Sequence, residues 1–186
     1  TLLALLLEAR ADGSAIGQSK FRHIICGAGP LTCELADRFE STYSIRIVHG
    51  YGLSETTCYS CFLPTNIPYH EHRSWMQDHG FPSIGVALPC NEMDIHNAEG
   101  KPVPPGDRGE IVIRGSNVMR GYDANDAANA DAFAHGWFRS GDEGFCLPDK
   151  SGQLFYFITG RLKELIIRGG VNLAPLEIDE VINRAP

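Results

Sequence analysis

Two short β-rich segments, each running into glycines and separated by one helical repeat, restrict the possible folds of this chain more than any other feature. Residues 21–26 lead into Gly27-Ala28-Gly29. Pro30 then suits the first position of a helix whose apolar residues recur at helical spacing as far as Phe39. Residues 45–48 lead into Gly50-Tyr51-Gly52. This order predicts a βαβ unit and a parallel sheet.

The rest of the chain follows other patterns. Residues 62–89 are rich in Pro, His and Asn without clear periodicity, which predicts a long connecting loop. A helix is predicted at 124–134, a strand at 164–170 and a further helix from Pro175. Short β-rich segments between turn clusters predict an antiparallel, barrel-like layer, and they lie at 92–96, 110–114 and 153–158. The expected fold class is therefore α/β, with mixed α+β character.

Charge and composition exclude several classes of protein. The formal net charge is −7 and the 16 Lys and Arg residues are scattered, so we expect no nucleic-acid partner. No apolar segment approaches membrane-spanning length, and the apolar start lacks the flanks of a secretory signal. The six cysteines are widely spread, which favours reduced thiols and a cytoplasmic location.

Both ends of the chain suggest a piece of a longer protein. The sequence opens without Met inside an apolar helical pattern, and it closes just after another helical pattern has begun. Natural domains seldom begin or end within an element, so we expect a truncated gene product.

The segment that follows the second strand has the residue types of a nucleotide site. The glycines on both sides of Tyr51 allow its ring to stand against a flat ligand. Ser54 and Thr56 supply hydroxyls, backbone N–H groups at a helix start can hold an anion, and Glu55 is a ligand type for Mg²⁺. The alternative is an ordinary glycine turn with a capping Ser54 and an exposed Glu55.

Three more motifs favour the nucleotide site, because their order and spacing match one superfamily. They are Gly-Glu-Ile-Val-Ile-Arg-Gly at 109–115 with Met-Arg-Gly-Tyr at 119–122, Gly-Trp-Phe-Arg-Ser-Gly-Asp at 136–142, and Gly-Arg-Leu-Lys-Glu-Leu-Ile-Ile-Arg-Gly-Gly at 160–170. With the first motif they resemble the adenylate-forming enzymes, which include acyl-CoA synthetases, peptide-synthetase adenylation domains and luciferases. Members convert a carboxylic acid and ATP to an acyl-adenylate and pyrophosphate, and a thiol then displaces AMP.

The resemblance assigns roles to the glycine-rich segments. It implies that Gly27-Ala28-Gly29 lines the adenine pocket, and that Tyr51 stacks on the base within the nucleotide-binding segment Gly50-Tyr51-Gly52-Leu53. Ser54 would contact phosphate where the family usually has Thr, and Glu55 would hold Mg²⁺. We expect these two residues to take part in catalysis.

The resemblance also assigns roles to residues near the end of the chain. Asp142 would accept hydrogen bonds from the ribose hydroxyls, which suits an acceptor-only carboxylate. Arg161 would contact the sugar or phosphate, and Lys163 would lie at the hinge between two lobes. Gly169-Gly170 would lie near the pantetheine arm of coenzyme A.

The resemblance further implies a division of the chain into three parts. Residues 1–82 would complete the α/β subdomain of a large N-terminal domain, 83–160 would form the barrel-like subdomain, and 161–186 would begin a mobile C-terminal lobe. The family's phosphate loop with its lysine and its adenylation lysine have no counterpart in this sequence. We therefore expect an acyl-CoA synthetase fragment that does not turn over alone.

Three alternatives stay open at this point. An adenylation domain that loads a carrier protein has the same motifs, and a remnant that binds AMP or ATP without chemistry fits the missing lysines. A zinc site at Cys58-x-x-Cys61 with His70 and His72 has suitable ligand types but poor spacing. The acid is predicted only as a carboxylic acid, with a pocket partly built near His23, His49 and the segment after Thr57.

Overall fold

The predicted βαβ unit is present. The computed structural model describes residues 2–13, 20–27, 29–168, 171–175, 178, 181 and 182. Strand β1 (His23–Cys26) pairs in parallel with β2 (Arg46–Tyr51), and helix α2 (Cys33–Tyr43) connects them. Helix α1 (Leu2–Glu8) packs on α2, where the Tyr43 hydroxyl donates to the Leu6 carbonyl at 2.8 Å.

Helix α2 begins later than Pro30, the predicted first helical residue. Its N-cap is Thr32, whose hydroxyl accepts from the Leu35 N–H at 3.2 Å. A capping hydroxyl satisfies one of the N–H groups that a helix start leaves without a partner, whereas proline only removes one. The helix ends at Ser44, which adopts a left-handed conformation with φ 54°.

Thr32→Ala is expected to lower the free energy of unfolding by about 1 kcal/mol, because the Leu35 N–H loses its acceptor. Chemical denaturation measures this change. Thr32→Asp restores a capping oxygen and is expected to recover most of the stability. Thr65→Ala, at an exposed loop position, is the matched control. Equal midpoints for Thr32→Ala and Thr65→Ala would show that the cap contributes nothing.

The prediction of a loop over residues 62–89 is wrong. Helix α3 (Tyr69–Gln77) lies there, and two short strands, β3 (Cys61–Phe62) and β4 (Val86–Ala87), extend the first sheet by antiparallel pairing. Helix α3 buries only His72 and Met76, so its core face has one polar member and shows no apolar repeat. Helical periodicity in the sequence is correspondingly weak.

His72 is buried because Glu40 of α2 meets it in the interior. The Glu40 Oε1 atom lies 2.7 Å from His72 Nε2 and also accepts from the Ile47 N–H at 2.7 Å. The exposed fractions of Glu40 and His72 are 5% and 2%. One buried carboxylate therefore joins α2, α3 and β2, and such a group is tolerated inside a protein only when it is hydrogen-bonded.

The predicted antiparallel layer is confirmed, with one strand more than the sequence patterns predicted. Its four strands pair in sequence order, and they are β5 (Asn91–His96), β6 (Gly109–Gly115), β7 (Phe138–Pro148) and β8 (Leu154–Arg161). Strand β7 escaped prediction because Gly141, Gly144 and the polar residues between them interrupt its apolar alternation. Helix α4 (Asp126–Ala132) precedes it, capped by Asn125.

Gly85 brings the two sheets together. The Gly85 carbonyl accepts from the Tyr156 N–H at 2.9 Å, and the Tyr156 carbonyl accepts from the Ile84 N–H at 2.9 Å. Gly85 has φ +87°, and a Cβ there would lie 1.9 Å from the backbone of Phe62, so only glycine fits. This contact fixes where β7 and β8 lie relative to the end of β2.

The last described elements form a small hairpin. Strand β9 (Ile166–Arg168) pairs antiparallel with β10 (Val171–Leu173). Strand β9 lies inside the strand predicted at 164–170, and β10 lies just after it. Ala28, Gly169, Gly170 and most of the helix predicted from Pro175 lie outside the described residues. The division at residues 82 and 160 stays a prediction.

Two global properties follow from the described part of the chain. No helix in it has the length and apolarity needed to cross a lipid bilayer. All six cysteines are free thiols, three of them buried.

Candidate functional site

A cavity of about 310 Å³ opens where β2 ends against β7 and β8. It collects residues that the sequence motifs singled out from four separate segments, namely Gly29, Gly50, Tyr51, Gly52, Asp142 and Arg161. A wider, shallower groove of about 760 Å³ on the barrel-like sheet contains none of them. We therefore place the candidate site in the smaller cavity.

Tyr51 and Asp142 form the centre of this site. The Tyr51 hydroxyl donates to Asp142 Oδ2 at 2.6 Å, and the exposed fractions of the two residues are only 8% and 1%. Burial and the adjacent carboxylate raise the pKa of Tyr51 well above its ordinary value, so this hydroxyl remains a donor. Besides the stacking role predicted for its ring, Tyr51 holds Asp142 through its hydroxyl.

The other oxygen of Asp142 remains available. Among the described residues, Oδ1 is buried without a hydrogen-bond donor, although Arg161 Nε lies 3.3 Å away. Burial raises the pKa of Asp142, while Tyr51 and Arg161 oppose that shift. A buried acceptor without a donor is costly, so a ligand hydroxyl that donated to Oδ1 would relieve an unfavourable state. The ribose of a nucleotide fits this requirement.

His49 is a neutral residue of the same cavity. Its Nδ1 donates to the Ser83 carbonyl at 3.0 Å, and burial lowers its pKa to about 4. At pH 7 the imidazole is therefore uncharged. The charged residues that line the cavity are Asp142, Arg161 and Glu164.

The loop after β2 forms a single 3₁₀ turn, Ser54–Thr56. Ser54 does not cap this turn in the way that the glycine-turn alternative proposed, because Leu53 holds the N-cap position and Ser54 lies inside the turn. The buried Thr56 hydroxyl accepts from the Leu53 N–H at 3.0 Å and donates to the Leu53 carbonyl at 3.2 Å. Ser54 is left exposed, where its hydroxyl can meet a ligand.

Asn117, in the turn that follows β6, holds this loop, and sequence analysis did not identify it. Its amide donates to the Thr56 carbonyl at 2.8 Å and to the Tyr59 carbonyl at 3.0 Å. The Thr57 hydroxyl donates in turn to the Asn117 carbonyl at 2.8 Å. The position of Asn117 between the motifs at 109–115 and 119–122 was the only sequence signal.

Glu55 is partly exposed and is oriented by Tyr122, a residue of the motif at 119–122 to which the sequence assigned no role. The Tyr122 hydroxyl donates to Glu55 Oε1 at 2.9 Å, and the Glu55 carbonyl accepts from the Met119 N–H at 2.7 Å. Mg²⁺ is commonly held by one or two carboxylates together with substrate phosphates and water, so the single carboxylate of Glu55 has the right chemistry for this ion. Glu55 follows the cavity-lining residues Tyr51 and Gly52 closely in the chain but does not itself line the cavity.

The glycines of the motif are required mainly by their own chain. A Cβ at Gly52 would lie 2.3 Å from the Cys58 carbonyl oxygen, and one at Gly50 would lie 2.4 Å from the Phe62 ring. A Cβ at Gly27 would lie 2.8 Å from the Tyr59 ring. Gly29 differs, since nothing lies within 4 Å of its missing side chain. Of these four positions, Gly29 alone leaves open space toward the cavity.

Other predicted residues lie apart from this centre. Leu53 packs against the core of the barrel-like sheet, and Lys163 is exposed in the turn that follows β8. His23 is exposed at the start of β1. The described residues include no group of three or more His, Cys, Asp or Glu that could hold a metal ion. Two of the four residues considered for zinc, Cys61 and His72, are buried and engaged elsewhere.

Comparison with known proteins identifies the family of this chain. The family model described as "AMP-binding enzyme" matches residues 1–123, about two thirds of the chain. The chain belongs to the AMP-binding enzyme family. It is 32% identical over 168 residues to a feruloyl-CoA synthase of Amycolatopsis sp, covering 90% of this chain and 31% of that protein. It is 37% identical over 189 residues to the sulfoacetate–CoA ligase of Cupriavidus necator, covering 100% and 33%.

A solved structure confirms the fold of this AMP-binding enzyme chain. The O-succinylbenzoate coenzyme A synthetase of Bacillus subtilis in complex with ATP and magnesium superposes with a TM-score of 0.70 at 26% identity, covering 92% of this chain and 34% of that one. The mixed α/β class predicted from the sequence is therefore confirmed. The chain spans about a third of the length of the curated relatives it matches.

Proposed function

We propose that this chain is the nucleotide-binding part of an AMP-forming acyl-CoA ligase. In the proposed reaction an acid carboxylate oxygen attacks the α-phosphorus of ATP, the bond to the β-phosphate oxygen breaks, and pyrophosphate leaves. The thiol of coenzyme A then attacks the acyl carbon and AMP leaves. The observation that carries this proposal is the pairing of Tyr51 with Asp142, which leaves a buried carboxylate oxygen facing the cavity.

Each side chain has a proposed task in this reaction. Asp142 accepts the ribose hydroxyls through Oδ1, and Arg161 contacts the sugar or phosphate. Tyr51 offers its ring to adenine while its hydroxyl keeps Asp142 in place. Ser54 donates to phosphate, and Glu55 holds Mg²⁺, which supplies charge stabilisation for the leaving pyrophosphate when it is bound.

The remaining roles rest on the family resemblance. Lys163 belongs to the hinge between lobes, and Gly27-Ala28-Gly29 lies along adenine. Gly169-Gly170 approaches coenzyme A. The names of the relatives, which are CoA synthases and CoA ligases, support coenzyme A as the thiol acceptor and a small carboxylic acid as the substrate. A cytoplasmic location is part of the same proposal, supported by the free thiols.

The test uses the complete gene product that contains this chain. It is incubated with ATP, Mg²⁺ and a panel of aromatic, aliphatic and dicarboxylic acids, and pyrophosphate and thioester are measured. We expect pyrophosphate release with at least one acid, and thioester formation when coenzyme A is added. Release without any acyl-CoA, together with loading of a phosphopantetheinylated carrier protein, would indicate an adenylation domain instead. Absence of release with every acid would contradict the ligase assignment.

The 186-residue chain alone is proposed to bind nucleotide without turnover. No lysine of this chain matches the family's two catalytic lysines, and the loss of such cations raises a barrier by several kcal/mol. Calorimetry with AMP and a pyrophosphate assay distinguish the two properties. Turnover by the chain alone would show that those lysines are not needed.

A further inference from the structure

Glu110 lies beneath the turn that carries Asp142 and has no role in the reaction proposed above. Its Oε1 atom accepts from the Gly141 N–H at 2.9 Å. Gly141 precedes Asp142 directly and has φ +75°, a left-handed conformation that most residues avoid. The backbone at the ribose-binding position is therefore held in an uncommon conformation by a side chain from the neighbouring strand.

Glu110 itself is fixed by an arginine. Arg139 donates to Glu110 Oε2 from Nε at 2.7 Å and from Nη2 as well. The exposed fraction of Glu110 is 6%, so this is a largely buried ion pair in which two guanidinium N–H groups donate to one carboxylate oxygen. Hydrogen bonds between charged partners are short and strong, and the two N–H groups that converge on Oε2 restrict the orientation of the carboxylate. One oxygen is held by Arg139, and the other is aimed at the Gly141 N–H.

The same turn is braced by Ser140 on its other side. The Ser140 hydroxyl donates to the Ile111 carbonyl at 2.6 Å and accepts from the Asp142 N–H at 3.1 Å. The pairing of β6 with β7 shifts register between Glu110 and Val112, and such a bulge is a common device for redirecting a side chain. Three successive residues of the turn are thus attached to β6 or to one another.

We propose that Glu110 is a positioning residue that sets the ribose specificity of the site by fixing the Ser140–Gly141–Asp142 turn. Arg139 holds the Glu110 carboxylate, Glu110 holds the Gly141 N–H, and the turn presents Asp142 Oδ1 to the sugar. This inference rests on the proposed nucleotide site. It accounts for two residues of the motifs at 109–115 and 136–142 that the reaction itself does not use.

The readout is the ratio of kcat/KM for ATP to that for 2′-deoxyATP and for 3′-deoxyATP. Loss of a residue that positions Asp142 changes this ratio. Loss of a merely structural residue lowers kcat/KM for all three nucleotides by the same factor and leaves the ratio unchanged. Glu110→Ala is expected to raise the KM for ATP about three- to tenfold, the range of one lost hydrogen bond, and to move the ratio toward one. The KM values for the acid and for coenzyme A are expected to stay unchanged.

Two further variants separate position from charge. Glu110→Gln keeps an oxygen for the Gly141 N–H and is expected to retain most of the discrimination. Glu110→Ala combined with Asp142→Ala is expected to lose no more discrimination than Asp142→Ala alone, because the two residues act through one contact. The matched control is Glu92→Ala, which removes an exposed Glu92–Arg114 pair from the same sheet. It is expected to leave the ratio unchanged.

The possible outcomes lead to distinct conclusions. If the wild-type protein releases no pyrophosphate with any acid, the proposed function fails. If the wild type is active and folded Glu110→Ala keeps the wild-type ratio, the positioning role is wrong. If Glu110→Ala does not fold, Arg139→Met, which releases the carboxylate from its partner, is expected to lower the ratio. A wild-type ratio in folded Arg139→Met overturns the inference equally.

Discussion

Glu55→Gln in the complete gene product is expected to lower the rate of pyrophosphate release by about 100- to 1000-fold. Glutamine keeps the shape of the side chain and an oxygen for the Tyr122 hydroxyl, but it removes the negative charge that the proposal assigns to Mg²⁺. Loss of one electrostatic stabiliser of a phosphoryl leaving group typically costs about 3–4 kcal/mol of barrier. The measurement is kcat over a range of Mg²⁺ concentrations, together with direct titration of Mg²⁺ into the protein–ATP complex.

Tyr122→Phe is the matched control for this prediction. It removes the 2.9 Å hydrogen bond to Glu55 and leaves the carboxylate in place. We expect a loss of about tenfold or less, since one hydrogen bond contributes about 0.5–1.5 kcal/mol. If Glu55→Gln and Tyr122→Phe lost activity equally, with the Mg²⁺ dependence unchanged, Glu55 would be an ordinary surface residue.

Asp142→Ala is expected to weaken the binding of ATP and AMP by about 1.5–3 kcal/mol, which corresponds to roughly 10- to 150-fold. The loss arises because the ribose hydroxyls no longer have a charged acceptor, and because the Tyr51 hydroxyl loses its partner. Isothermal titration calorimetry with AMP measures this directly. Unchanged affinity in a folded variant would contradict the assignment of the ribose to Asp142.

Asp142→Asn separates binding from stability. Burial raises the pKa of Asp142, so the ionised form is less stable in the folded chain than in the unfolded one. A group with a raised pKa contributes most stability below its unfolded pKa, and that contribution is lost as the pH rises through the folded pKa. At pH 7 the carboxylate therefore costs folding free energy. We expect Asp142→Asn to unfold at the same denaturant concentration as wild type or a higher one, while AMP binding is weaker.

This separation has a clear contrary result. If Asp142→Asn lowered the unfolding midpoint at pH 7 and binding fell in proportion, the carboxylate would be part of the structural core. A buried ionised group that costs stability but binds ligand is common at functional sites, where pKa values are often perturbed.

The local elements of the site were predictable from sequence because their signals are local. A β-rich segment that ends in glycines, followed by helical spacing, predicts strand, turn and helix without knowledge of distant residues. The parallel pairing of β1 with β2 confirms that prediction. Helix α3 was missed because its signal is not local. Its buried His72 is stabilised by Glu40, which lies 32 residues earlier, and the sequence around α3 gives no sign of that partner.

The candidate site shows the same limit. Motif order pointed to Tyr51 and Asp142 separately, but it could not show that they share a hydrogen bond. Nor could it show that Asn117 clamps the Ser54–Thr56 turn, or that Glu110 holds Gly141. The reason given in advance for the glycines was also incomplete, because Gly50 and Gly52 are required by contacts within the chain.

The sequence by itself determined the family, the βαβ start and the barrel-like strands, and it supplied the residues proposed for the nucleotide site. Only the tertiary structure decided which of those residues meet. Tyr51 and Asp142 are 91 residues apart and lie on different sheets, and their contact depends on Gly85 letting the sheets approach. Backbone conformation follows from neighbouring residues, whereas a buried carboxylate with one oxygen held by Tyr51 and the other beside Arg161 requires packing across the whole fold.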